Sequence, residues 1–98
     1  MPDLATNSLD IIPIDVSDLE PPEPMERILA RLRQLRAGQL LRVRHRREPF
    51  PLYPVLEQSG YKHYCIQTGT EAFLIYIWPH SAPVDELFCR TDAAAEAQ

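Results

Sequence analysis

Apolar and polar positions along this chain follow two rhythms, and the switches between them mark its elements. Residues 1–9 are polar and without period, and are expected to form a loose leader. Asp10 to Val16 reads as a first strand, with Pro13 suited to an edge. Met25, Ile28, Leu29, Leu32 and Leu35 then recur at steps of three and four, the apolar stripe of an amphipathic helix. Pro22 and Pro24 fall in its first turn, where a missing N–H costs little because those donors lack helical partners. Glu20, Glu23 and Glu26 stand at the positive end of the helix dipole and Arg31, Arg33 and Arg36 at its negative end; Gly38 stops it.

From Leu40 to His45 the rhythm changes to strict alternation. Leu41, Val43 and His45 share one face, and Arg42, Arg44 and Arg46 the other, which predicts a half-buried strand. The linker Arg47-Glu48-Pro49-Phe50-Pro51 leads into a short helix from about Leu52 to Ser59, closed by Gly60. Lys62 to Thr68 and Ala72 to Trp78 make two final strands joined by a turn at Thr68-Gly69-Thr70-Glu71. Pro79 ends the sheet. Ser81 to Phe88 is expected to add a helical turn or two and Thr91 to Gln98 to fray, so residues 80–98 form a partly disordered extension beyond a domain of residues 10–79. The order β-α-β-α-β-β, with a right-handed crossover between the first two strands, predicts an α+β two-layer sandwich: a four-stranded mixed sheet with two helices on one face.

Composition narrows the function classes. With 98 residues, 45% of them apolar, the chain supports one small core. A net charge of −4 disfavours nucleic acid and anionic membrane as general partners. The charge is uneven, however: Arg27 to Arg47 holds eight arginines and no carboxylate, between acidic flanks. No apolar run approaches the roughly 20 residues that span a bilayer, and the start has no signal-peptide pattern. Two cysteines, Cys65 and Cys89, make no disulfide framework, so a reducing cytoplasm is the expected compartment.

Three motifs carry a family resemblance: the helix entry Leu19 to Met25 with Pro21-Pro22-Glu23-Pro24, the strand Gly38 to Val43, and the linker His45 to Leu52. Strand, Cys-Pro-x-Pro and helix is the signature of the TusA/SirA-like sulfur carriers. This chain resembles that superfamily from about Leu9 to Trp78, and most resembles an uncharacterised bacterial branch with Pro-Pro-x-Pro at the entry. The resemblance implies the same β-α-β-α-β-β fold and a place in a redox or sulfur-related pathway. In the carriers the cysteine at the helix start bears a persulfide. Pro21 stands at that position here and has no sulfur to offer.

Three side-chain groups are candidates for chemistry. Parallel strands joined by a helix end at one sheet edge, where open sheets bind ligands, so Glu23, His45, Arg47 and Tyr53 are expected to converge on a ligand-binding patch. The alternative is that His45 caps the strand and Arg47 pairs with a glutamate. Second, His63 and Cys65 alternate on one strand and His80 lies near its start, a weak metal set without a compact ligand spacing. A structural cysteine is the plainer reading, and a mid-strand thiol lacks the helix N-terminus that activates a carrier cysteine. Third, Arg42, Arg44 and Arg46 form a row at about 7 Å spacing, placed on a solvent face as a surface for a protein partner or a homodimer, or simply paired with acidic side chains.

No Ser/His/Asp set, phosphate loop or paired carboxylates call for an enzyme, and no cofactor is predicted. The expectation is a small cytoplasmic binding or adaptor module, without the carrier cysteine, for a protein partner or a small ligand. The alternative is a redox, metal-binding or sulfur-handling protein that uses His63 and Cys65, or His45.

Overall fold

The computed structural model describes residues 9–96. The expected leader therefore lies outside the described residues except for Leu9, as do residues 97–98 of the expected tail. In chain order the elements are β1 (Asp10–Asp15), α1 (Glu23–Leu32), β2 (Gln39–His45), α2 (Leu52–Gln58), β3 (Tyr61–Gly69), β4 (Ala72–Pro79) and α3 (Glu86–Glu96). The four strands form one mixed sheet in the order β1-β2-β4-β3. β1 runs parallel to β2, with Ile12 beside Leu41 and Ile14 beside Val43. β4 lies antiparallel to both β2 and β3 and therefore sits inside the sheet.

Burial along β4 governs the architecture. Leu74, Ile75, Tyr76, Ile77 and Trp78 are all buried, yet successive strand residues point to opposite faces. Such a run needs cover on both sides of the sheet. On one side Leu41, Val43, Ile75 and Ile77 pack with Ile28 and Leu32 of α1 and with Leu52 and Leu56 of α2. On the other, Leu40, Leu74, Tyr76 and Trp78 pack with Cys89 and Ala93 of α3.

Helix α3 is the main difference from the expected fold. The extra turn expected at Ser81 to Phe88 and the frayed end expected from Thr91 are instead one helix reaching Glu96. Asp85 starts it: its carboxylate Oδ1 accepts the Phe88 N–H at 2.9 Å, the bond of an N-cap. Cys89 and Ala93, four residues apart, then meet the sheet. Asp92 fixes the register. Its Oδ2 accepts from Arg42 Nη1 at 2.8 Å and from the Tyr76 hydroxyl at 2.5 Å, while Glu96 lies 3.4 Å from Arg42 and 3.5 Å from Arg44.

The shorter elements end for local reasons. Helix α1 stops at Leu32 and the chain turns through Arg33 and Gln34 before Gly38 takes φ +84°. Gly60, after α2, has φ +85°. Both conformations favour glycine, because a Cβ crowds the backbone there. β3 and β4 join through a two-residue turn at Thr70 and Glu71, one position later than the expected centre.

Asp92→Ala should cost about 1–3 kcal/mol in a urea titration, because it leaves a buried tyrosine hydroxyl without its acceptor and an arginine without its nearest carboxylate. Glu86→Ala, which removes only an exposed contact to Arg90 at 3.7 Å, should leave the unfolding midpoint nearly unchanged.

Candidate functional site

The entry to α1 is built without sulfur. Pro21 and Pro22 are exposed, Pro24 is buried in the first turn, and no side chain caps the helix. The Glu23 carboxylate, exposed, meets Arg27 one turn on at 3.4 Å. Glu20 holds Arg46 at 2.8 Å. The helix start is thus acidic, with Glu23 and Glu20 paired and Glu26 exposed, and offers an incoming anion little.

Glu23, His45, Arg47 and Tyr53, expected to converge here, do not form one patch: His45 meets the Arg47 backbone, and Glu23 and Tyr53 bond elsewhere. His45 is buried at the end of β2, opposite Phe73. Its Nδ1 accepts the Arg47 backbone N–H at 3.2 Å, which assigns the ring proton to Nε2. Burial lowers the His45 pKa, and the Arg46 and Arg47 cations lower it further. The ring is therefore neutral near pH 7. The Tyr53 hydroxyl donates to Glu48 Oε2 at 3.0 Å. The Arg47 guanidinium, exposed, has no ion pair with a described residue. Beside it Phe50 is 64% exposed and packs edge-on to Tyr53, with ring centroids 6.0 Å apart.

A second group forms where α2 covers β3. The Tyr53 ring stacks on His63, with centroids 3.9 Å apart and planes within 10° of parallel. Cys65, two residues on, faces the same side and packs with that core. Burial pushes the Cys65 thiol up to about 11; the Tyr53 hydroxyl opposes that shift and the Glu48 carboxylate adds to it. Burial likewise lowers His63, against a smaller upward pull from Glu57 and Glu48. His63 Nδ1 is buried and has no hydrogen-bond partner among the described residues. His80 is exposed and lies over Gly60, where a Cβ would approach its ring at 3.6 Å. Among the described residues no group of three or more His, Cys, Asp or Glu side chains is placed to hold a metal ion.

The arginine row is divided. Arg42, expected on a solvent face, is 14% exposed and lies beneath α3 between Asp92 and Glu96. Arg44 shares Glu96, and Arg46 turns to Glu20. The pairing with acidic side chains weighed in the sequence is the arrangement found, supplied by α3 and by the α1 entry. Arg90 of α3 adds a contact not anticipated: its Nε donates to the Tyr64 hydroxyl at 2.9 Å, and its guanidinium lies 5.8 Å from that ring's centre. The Asp85 cap with Cys89 and Ala93 at helical spacing was the available signal for α3. The Tyr53–His63 stack had none, because it depends on how α2 sits on the sheet.

Comparison with known proteins places residues 13–79 in a family described as uncharacterized conserved protein, DUF2249. The chain belongs to that family. No curated protein and no solved structure matches it. The match ends at Pro79, so α3 lies outside it. No helix is long and apolar enough to cross a membrane among the described residues.

Two imidazoles held neutral give stability a definite pH dependence. The unfolded chain takes up protons on these rings as pH falls through about 6.5, whereas the folded chain resists to lower pH. Their contribution is therefore complete above that value and is lost below it. The urea midpoint of the wild type should fall between pH 7 and about pH 5, and the fall should shrink in His45→Gln/His63→Gln.

Proposed function

We propose that this protein is a binding module with a TusA/SirA-like frame, an α+β fold that has kept the carrier's layout without its sulfur chemistry. In this reading it acts as a non-catalytic adaptor in a redox or sulfur-related pathway of a bacterial cytoplasm. The supporting observation is the α1 entry, where an exposed Pro21 precedes an acidic helix start in which Glu23 pairs with Arg27 and Glu20 with Arg46. The thiols present elsewhere do not replace the missing one. Burial raises Cys65 to about 11 and Cys89 to about 12, so both are thiols at neutral pH, and the thiolate is the form that accepts or passes sulfur. Partner contact then falls to the β2–α2 linker, where Phe50 offers an apolar anchor and Arg47 an unpaired cation.

A second reading, redox or metal binding through His63 and Cys65, draws on their shared face beside Tyr53. It lacks a third ligand among the described residues.

The deciding experiment offers the protein to a cysteine desulfurase with free cysteine and weighs the product. An unchanged mass is expected; a gain of one sulfur atom on Cys65 or Cys89 would overturn the adaptor reading. As a second measurement, folded Cys65 should react with iodoacetamide at least roughly 100-fold more slowly than in urea. A pKa of about 11 in place of 9.0 lowers the thiolate fraction by that factor.

A further inference from the structure

The two edges of the sheet are defended differently. β1 closes one edge with six residues, among them Pro13, exposed and unable to donate, and the exposed carboxylates of Asp10 and Asp15. β3 closes the other with nine residues, Tyr61–Gly69, and includes no proline and no carboxylate. Its only irregularity lies at Gln67 to Gly69. Among the described residues no strand pairs with its outer side. Exposed charge of the kind that commonly blocks an edge is limited here to Lys62.

A cleft of about 440 Å³ lies at the first half of this edge. Four consecutive residues, Tyr61 to Tyr64, line it. Neighbours on a strand point to opposite faces: Tyr61 packs with the α1/α2 core and Tyr64 with the α3 core. A cavity touching all four therefore straddles the strand's rim. Its walls are acidic on both sides, with Glu57 at the end of α2 and Asp85 and Glu86 at the start of α3. Two buried nitrogens in the lining, His63 Nδ1 and Trp78 Nε1, have no hydrogen-bond partner among the described residues. Trp78 is 5% exposed, and its indole N–H calls for an acceptor.

We propose that this cleft takes an extended basic peptide, which adds to the sheet as a fifth strand beside β3. Main-chain hydrogen bonds to the open edge would supply affinity and alternate side chains the selectivity. Adjacent residues of an added strand point to opposite faces, so a Lys-Lys or Lys-Arg pair sends one cation toward Glu57 and the next toward Asp85 and Glu86. A second copy of this chain fits less well. Its β3 brings one cation, and antiparallel self-pairing about the strand's centre sets Lys62 of that copy against the far end, away from these carboxylates. The inference rests on the adaptor reading and names its partner by chemistry.

The test uses the full chain and a fluorescent eight-residue peptide of alternating threonine and valine with a central Lys-Lys pair, followed by anisotropy and by amide shifts. Submillimolar binding with shifts centred on Tyr61 to Tyr64 is expected. Affinity should fall at least tenfold in Glu57→Lys/Glu86→Lys, whose sites are exposed, and as much for a peptide N-methylated at alternate residues. Absence of binding at 1 mM would overturn the proposal. Equal binding of a Glu-Glu peptide, or β3 shifts that follow protein concentration without peptide, would do so as well. Such a failure alongside an unchanged mass with the desulfurase would remove the partner class and leave the adaptor reading standing.

Discussion

The structure depends on one requirement: β4 is apolar toward both faces of the sheet, so both faces must be covered. Helices α1 and α2 answer it on one side through Ile28, Leu32, Leu52 and Leu56. On the other side Cys89 and Ala93 of α3 rest on Leu74, Tyr76 and Trp78. The second contact is narrow in apolar terms, and Asp92 completes it by accepting from Arg42 and from the buried Tyr76 hydroxyl together. A charge-assisted pair with little exposure contributes more than a surface one, and it also sets the helix in a single register. What could have been a basic sheet face is neutralised from within.

Covering both faces decides which groups remain at the surface. The α1 entry holds proline, Cys89 is buried and Cys65 partly so, with burial raising both thiol pKa values, and the arginine row is largely consumed by Asp92, Glu96 and Glu20. Exposed at the rim are the linker with Phe50 and Arg47, and the outer side of β3 beside a cleft with acidic walls.

Much of the fold was legible in the residues. The α1 stripe, the prolines of its first turn, the alternation through β2 and Gly60 are local signals that mark their elements closely, whereas α1, expected to run to Gly38, stops at Leu32. The reach of α3 was missed because Thr91 to Gln98 shows no apolar stripe beyond Ala93; its stability comes from Asp92 meeting Arg42 across 50 residues, a pairing no local pattern encodes. The site was less legible for the same reason. That His63 and Cys65 share a face followed from alternation, whereas the ties of Tyr53 to Glu48, Glu23 to Arg27 and Arg46 to Glu20 depend on rotamers and helix placement.

Amide hydrogen exchange of the dilute, unliganded protein tests most directly whether the sheet is closed on both faces and open at β3. The account predicts α3 amides from Cys89 onward protected well above the level of an unstructured chain, and alternate amides of β3 exchanging much faster than their neighbours bonded to β4. Exchange of α3 at the rate of unstructured chain would contradict the two-sided closure, and uniform protection along β3 would show its outer edge already occupied.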